Sequence, residues 1–372
     1  MKLAHLSDIH FCAKNMPEIN RLLPQLFTSL AECNPDHIIV SGDLFDTKLY
    51  AADPAFSQAA GFLLGLSDIA PTYVLQGTYS HDAPGMLSAL SMLSSPKNRI
   101  REYGTPHFIL APMVLRDSTI LFIPPRRRTD EWTLESVLDA ATNATVVVSH
   151  GTVFGCETEH DVPMLGVDHE FTPELFWRYP HIRAWLLGHI HKHQVWHGPD
   201  GQVAAYAGSL GRYHHGEMGE KYWLEWDIEE DGTVSVTPHR TKASTSVTVD
   251  FPSPPTAADL DRTIATVLEG ADGRQVALRI RYSVDEEYRD AVDRASMEAA
   301  LTAATLVGWK IEPRVNLVQT SRAPGVSRAK SLEEQVREYA RLSDLNPEGI
   351  LRALEMIRAN TDDEVMEWLS RP

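Results

Sequence analysis

Five short apolar runs in the first half of the chain each end in a cluster of Asp, His, Ser or Gly, and this pattern constrains the fold more tightly than any other feature. Leu3–Leu6 leads into Ser7-Asp8-Ile9-His10, and His37–Val40 into Ser41-Gly42-Asp43-Leu44-Phe45-Asp46. Thr72–Leu75 precedes Gly77-Thr78-Tyr79-Ser80-His81-Asp82, Thr145–Val148 precedes Ser149-His150-Gly151, and Ala184–Leu187 precedes Gly188-His189-Ile190-His191. Runs of four apolar residues read as strands buried on both faces. The stretches 17–33, 54–67, 84–94 and 131–141 between them read as helices; Pro17, Pro54 and Pro84 sit where a first helical turn tolerates proline. Strand–helix alternation predicts an α/β sandwich, and in such sheets ligands gather outside the carboxyl ends of the strands.

Beyond residue 193 the pattern changes to strands and turns: Gln202–Ala207, Tyr222–Ile228 and Val234–Thr237, with Gly198-Pro199-Asp200-Gly201 as a hairpin turn. Phe251-Pro252-Ser253-Pro254-Pro255 reads as a linker. A small α/β module follows: a helix near 256–269, the alternating strand Val276–Tyr282, a helix near 286–306 and a strand around Trp309–Leu317, which Pro313 marks as an edge. The window Pro313–Leu332 carries Arg314, Arg322, Arg328 and Lys330 and no acidic residue. Helices near 331–343, 347–358 and 361–370 close the chain. These limits divide it into residues 1–243, 244–320 and 321–372.

Taken singly the clusters are weak signals, since an Asp-x-His or a Gly-Asp-x-x-Asp also occurs in surface turns and helix caps. Together they bring carboxylate and imidazole to one edge of a sheet. Mixed Asp and His ligands suit Mn²⁺, Fe²⁺ or Zn²⁺ rather than an all-oxygen Ca²⁺ site. Six such ligands exceed what one catalytic ion with an open position needs. They fit two ions about 4 Å apart bridged by a carboxylate, as used in phosphoryl displacement. All 16 histidines lie at or before His239, so only the first part of the chain uses imidazole.

The order of these motifs resembles that of the calcineurin-like metallophosphoesterases. Leu6-Ser7-Asp8-Ile9-His10, Tyr206-Ala207-Gly208-Ser209-Leu210 and Gly216-Glu217…Lys221-Tyr222-Trp223-Leu224 narrow the resemblance to the SbcD nuclease family. Leu278-Arg279-Ile280-Arg281-Tyr282 and Arg314-Val315…Ser321-Arg322 are similar to that family's capping domain. The resemblance implies a two-sheet metallophosphoesterase sandwich flanked by helices at 1–243, a small α/β DNA-binding capping domain at 244–320, and a basic linker with helical tail at 321–372. It implies Asp8, His10 and His191 on a first metal, Asp43 as bridge, and His150 and His189 on a second. His81 would be the catalytic histidine, with Asp82 beside it; Asp82 and Asp46 would support the site from outside, orienting imidazoles or loops. The two ions, most readily Mn²⁺, would activate a water for attack on phosphorus.

The third motif departs from the family's usual Gly-Asn-His-Asp: two residues are inserted and the Asn, a metal ligand, is absent. Ser80 stands next to His81 and is the expected replacement; Thr78, a backbone carbonyl or water are the alternatives. Arg126, Arg127, His193 and His214 are candidate DNA contacts, with a solvated loop or a structural imidazole as the plain reading of each. His5, inside the first strand, reads as a core residue.

The resemblance also implies partners: DNA, an SbcC-type ATPase docked through the C-terminal helices (Leu332, Val336, Tyr339, Ala340; Ile350, Leu351, Leu354, Ile357), and a second copy of this chain through 84–94. Those tail residues would equally serve packing on their own chain. With 34 basic and 51 acidic residues the formal net charge is −17, which argues against coating nucleic acid by bulk charge. Bound cations would offset part of it. Three scattered cysteines, an early Asp and His, and no apolar run near the roughly 18 residues of a membrane span point to a cytoplasmic protein. The expected activity is metal-dependent DNA cleavage, exonucleolytic on duplexes and endonucleolytic on single strands, in an SbcCD-like complex. Hydrolysis of small phosphodiesters or phosphoproteins, or a noncatalytic DNA-end scaffold, are the alternatives.

Overall fold

The computed structural model describes residues 1–91, 107–115, 119–160, 162–165, 170–217, 219–271, 273–316 and 331–358. In chain order the first elements are β1 (Lys2–Leu6), α1 (Met16–Cys33), β2 (His37–Val40), α2 (Pro54–Ser67), β3 (Thr72–Leu75), α3 (Pro84–Ser91) and β4 (His107–Ile109). Then come β5 (Met113–Val114), β6 (Ile120–Ile123), α4 (Leu134–Ala140), β7 (Val146–His150), α5 (Pro173–Arg178), β8 (Ala184–Gly188), β9 (Gln194–His197), β10 (Val203–Tyr206), β11 (Tyr222–Ile228) and β12 (Val234–Arg240). These strands form two six-stranded sheets, ordered β12-β11-β1-β2-β3-β4 and β5-β6-β7-β8-β10-β9. The interiors of both are parallel.

Each early strand is apolar on both faces because each face is covered. Leu3, Ile39, Leu75, Phe122, Val148, Leu186 and Trp226 fill the space between the sheets. Ala4, Leu6, Ile38 and Val40 face α1 and α2, and Val147, Trp185 and Leu187 face α4 and α5. α1 buries Ile19, Leu22, Leu26 and Leu30, a spacing of three and four that makes one helical stripe, and it ends at Asn34 in the left-handed region. α2 begins at Pro54, where the Asp53 carboxylate accepts from Ala55 N at 2.8 Å. The result is the two-sheet, helix-flanked sandwich expected of a metallophosphoesterase.

A third sheet is built from β13 (Thr245–Phe251), β14 (Val276–Asp285) and β15 (Gly308–Asn316), with α6 (Ala257–Gly270) and α7 (Arg294–Ala303) between them; β15 is an edge. Phe251–Pro255 joins β13 to α6 within this module rather than linking two domains. The helix expected over 286–306 is a 3₁₀ turn, Glu286–Ala291, and a separate α7, because the Asp293 side chain caps the latter through Ser296 N. Two helices, α8 (Leu332–Leu342) and α9 (Glu348–Arg358), complete the described chain; the helix expected at 361–370 lies outside the described residues. By contacts the chain divides into Met1–Tyr282 with Asp293–Pro313, and Ser283–Val292 with Arg314–Pro372.

Met86, Leu87 and Leu90 of α3 are buried in the core of their own chain, so a dimer contact here must use the opposite face; Met92 and Leu93 lie outside the described residues. No described helix is long and apolar enough to cross a membrane.

Candidate metal centre

The carboxyl ends of β1, β2, β3, β7 and β8 converge. The loops after β1 and β2 continue their ladder, with Asp8 N, His10 N and Phe11 N donating to the carbonyls of Gly42, Asp43 and Leu44. Holding side chains this close takes unusual backbone: Asp8, His10 and Asp43 have φ of 51°, 53° and 50°, and His189 has 105°. Each such conformation in a non-glycine residue costs about 1–3 kcal/mol and persists only where the surroundings over-determine it. Four of the six described non-glycine residues with positive φ are thus candidate ligands. Gly188 permits the approach of the two sheets, since a Cβ there would overlap the Ser41 carbonyl and the Ser7 hydroxyl.

The side chains form two adjoining groups, Asp8–His10–His191 and Asp43–His150–His189, each with ligand atoms within 4.8 Å of one another. His10 Nε2 and His191 Nε2 are 2.9 Å apart, and Asp8 Oδ1 is 3.8 Å from the former. Asp43 faces both groups: Oδ2 is 4.0 Å from His10 Nε2, and Oδ1 is 3.3 Å from His150 Nε2. That is the placement of a bridging carboxylate.

The outward nitrogens explain why the inward ones are available. His150 Nδ1–H donates to the Ser41 carbonyl at 2.8 Å. His10 Nδ1 lies 3.6 Å from Asp46 Oδ1, and His191 Nδ1 lies 3.7 Å from Glu217 Oε1. The carbonyl bonded behind His150 fixes its tautomer and raises its basicity as a ligand, while the carboxylates near His10 and His191 act on them by charge. Burial, with His191 close by, pushes His10 down to about 4, so it is neutral at pH 7, as a ligand must be. Burial and His150 lower His189 in the same sense. Burial would raise the Asp43 carboxyl, but His150 and His10 outweigh it and hold Asp43 well below the usual range. Burial would lower His150 too, yet Asp43 raises it to about 9, so a metal ion at this position would have to displace the proton that Asp43 holds there. An ionised carboxylate among imidazoles whose Nε2 atoms converge fits a pair of divalent first-row ions.

The third motif differs from expectation. Ser80 is exposed. It is Thr78 that reaches the ligands: its N–H donates to Asp43 Oδ1 at 2.6 Å, and its hydroxyl lies 3.3 Å from both Asp43 Oδ2 and His150 Nε2. The first inserted residues thus carry the loop inward at Thr78 and brace it at Tyr79, whose hydroxyl donates to the Pro125 carbonyl at 2.7 Å. His81 packs edge-on against His10, with ring centroids 5.1 Å apart, and its Nδ1 is held by the Asp46 carbonyl. Asp82 is fully buried, and its carboxylate bonds to backbone rather than to an imidazole among the described residues. Its carboxylate accepts from Leu44 N, Phe45 N and Gly77 N at 3.0–3.2 Å and ties the second motif to the third. Burial and the nearby Asp43 charge raise it to about 7 against those three donors. Asp82 is therefore a positioning residue.

The candidate DNA contacts sit outside the ligand groups. Arg126 is exposed and its Nε donates to the Trp132 carbonyl; the exposed Arg127 guanidinium lies 4.6 Å above the Tyr79 ring. His193 is half-buried, bonded to the Tyr206 carbonyl at 2.7 Å. His214 is exposed, and its N–H holds Glu217 Oε1 at 3.1 Å. His5 is fully buried, as expected, with Nε2 2.8 Å from Ser41 Oγ.

Sequence reasoning gave Glu217 and Lys221 no role. Lys221 Nζ, 2.5 Å from Glu217 Oε2, also donates to Ser209 Oγ at 2.7 Å and to the His191 carbonyl at 3.1 Å. This buried pair fixes His191 from behind. The signal was their place in the segment Gly216-Glu217…Lys221-Tyr222, well beyond the last histidine motif.

The profile of the calcineurin-like phosphoesterase family matches residues 1–193, more than half of the chain, and the chain belongs to that family. It is a phosphoesterase by class, and its ligand groups are those of a metal-dependent hydrolase. Among solved structures it is similar to a dimetal phosphatase from Danio rerio, at 12% identity and a TM-score of 0.43, over 65% of this chain and 96% of that one. No curated protein matches it.

Proposed function

We propose that this protein is an Mn²⁺-dependent DNA phosphodiesterase, the nuclease subunit of an SbcCD-like complex. The observation that carries the hydrolytic part is the pair of adjoining groups joined by Asp43. Two divalent ions at such a site supply positive charge for the phosphate and an activated water for attack. Asp8, His10 and His191 would hold one and Asp43, His150 and His189 the other, with Thr78 beside the second. His81, fixed through Nδ1 by the Asp46 carbonyl, presents Nε2 to protonate the leaving oxygen or stabilise charge on the phosphoryl group.

DNA as the substrate is supported by the third sheet. On the face of β14 and β15 away from the helices, Arg279, Arg281 and Lys310 share a single carboxylate, Glu312, at 3.8, 3.1 and 2.5 Å. This leaves surplus positive charge on a chain whose total is −17. The tail supports an ATPase partner: Leu332, Tyr339, Leu342, Leu345 and Ile350 are each more than two-fifths exposed. A homodimer and a cytoplasmic setting complete this reading.

Comparing bis-p-nitrophenyl phosphate with linear duplex DNA, both with Mn²⁺, tests the substrate. The proposal expects a higher kcat/KM on DNA, falling steeply with salt because phosphate contacts release counterions. Hydrolysis of the small diester alone would make this a small-molecule phosphoesterase.

A further inference from the structure

A cavity of about 370 Å³ opens beside the metal centre, and His150 forms part of its wall. Its other walls come from Pro124 and Pro125 after β6, from Trp132 before α4, and from Phe171. Trp132 is half-buried against the core beneath the second sheet. The loop that carries it is clamped by Arg126, whose Nε donates to the Trp132 carbonyl at 2.7 Å and whose Nη2 donates to the Asp130 carbonyl at 3.3 Å. Tyr79, one of the residues inserted in the third motif, is bonded to the Pro125 carbonyl. The wall of the cavity and the ligand-bearing loop are therefore braced together.

The charges select the occupant. Two carboxylates, Glu135 and Glu170, line the cavity against one guanidinium already engaged with its own loop. Such a lining repels a second phosphate. It accepts a neutral flat ring that stacks on indole and proline and offers both donors and acceptors at its edge. A nucleobase has those properties, and a sequence-tolerant contact of this kind is how aromatic side chains hold bases of single strands.

We propose that this cavity takes the base of the nucleotide joined to the scissile phosphate, with Trp132 as its stacking wall. The inference rests on the reading of the protein as a DNA phosphodiesterase, and its test is separable from that reading. Calorimetry on the Mn²⁺-loaded protein would compare thymidine monophosphate with 2-deoxyribose 5-phosphate, which lacks only the base. The expected result is about tenfold tighter binding of the nucleotide, within what stacking one base supplies. Trp132→Ala should bring the two ligands within about twofold. Trp132→Leu, which keeps an apolar side chain against the core, should do the same if the alanine variant fails to fold. Equal affinities in the native protein, no binding of either ligand, or a preference that survives both variants would each overturn the proposal. DNA cleavage without a base preference removes the cavity's role and leaves the nuclease reading standing. A base preference without DNA cleavage does the reverse.

Discussion

Thr78 and Ser80 are two residues apart, and only one of them faces the ligands. The hydroxyl of Thr78 is 3.3 Å from both Asp43 Oδ2 and His150 Nε2, while Ser80 is exposed. Thr78→Val should weaken binding of the second Mn²⁺ by about tenfold, the scale of a lost partner beside a metal ligand. Ser80→Ala should leave both affinities unchanged. Isothermal titration of each variant reads the difference, and the opposite ranking would restore Ser80 as the ligand-side residue. His150 gives a second test in protein stripped of metal. Its ordinary pKa is near 6.5 and Asp43 raises it to about 9 in the fold. Between those values the folded form binds more protons than the unfolded one, so stability falls as pH rises. The contribution is whole below about 6.5 and is lost as pH passes 9. The melting temperature of chelator-treated protein should therefore drop from pH 7 to 9.5, and the drop should shrink in His150→Gln.

At the scale of elements, the strands that bear chemistry were the most sharply marked, although β10, β11, β12, β14 and β15 were legible from apolar pattern and turns alone. β1, β2, β3, β7 and β8 announce themselves twice, by an apolar run and by the polar cluster that ends it. β6 is as buried as they are yet ends in Pro124-Pro125, and β13 is half-exposed; neither carries a chemical marker, and neither was expected. The candidate ligands were visible because each lies at or just beyond the end of its strand. That Asp82 orients loops rather than an imidazole stayed open, because its carboxylate bonds to backbone N–H groups that only the folded loops bring together. Thr78 was obscured by an insertion whose path a sequence does not specify. The pair Glu217–Lys221 belongs to the loop before β11 and reaches back to His191. Lys221→Met would leave Glu217 buried without its cation, a loss on the order of 3–5 kcal/mol. The expected result is a melting temperature lower by several degrees and weaker Mn²⁺ binding at the first site. Unchanged thermal stability would show that Glu217 does not need the lysine.

Across the whole molecule, the acidic total and the DNA reading are reconciled by where the charges lie. Asp8, Asp43 and Asp82 are buried at the metal centre, and Asp46 adjoins it. Cations of the third sheet, by contrast, crowd around one glutamate. Two divalent ions would return four charges to the acidic centre, so the account depends on their being there in pairs. The most direct measurement is an anomalous difference map from crystals grown with Mn²⁺. The account predicts two peaks about 4 Å apart, with Asp43 between them, Asp8, His10 and His191 around one, and His150 and His189 around the other. A single peak, or ions bound away from these residues, would contradict it.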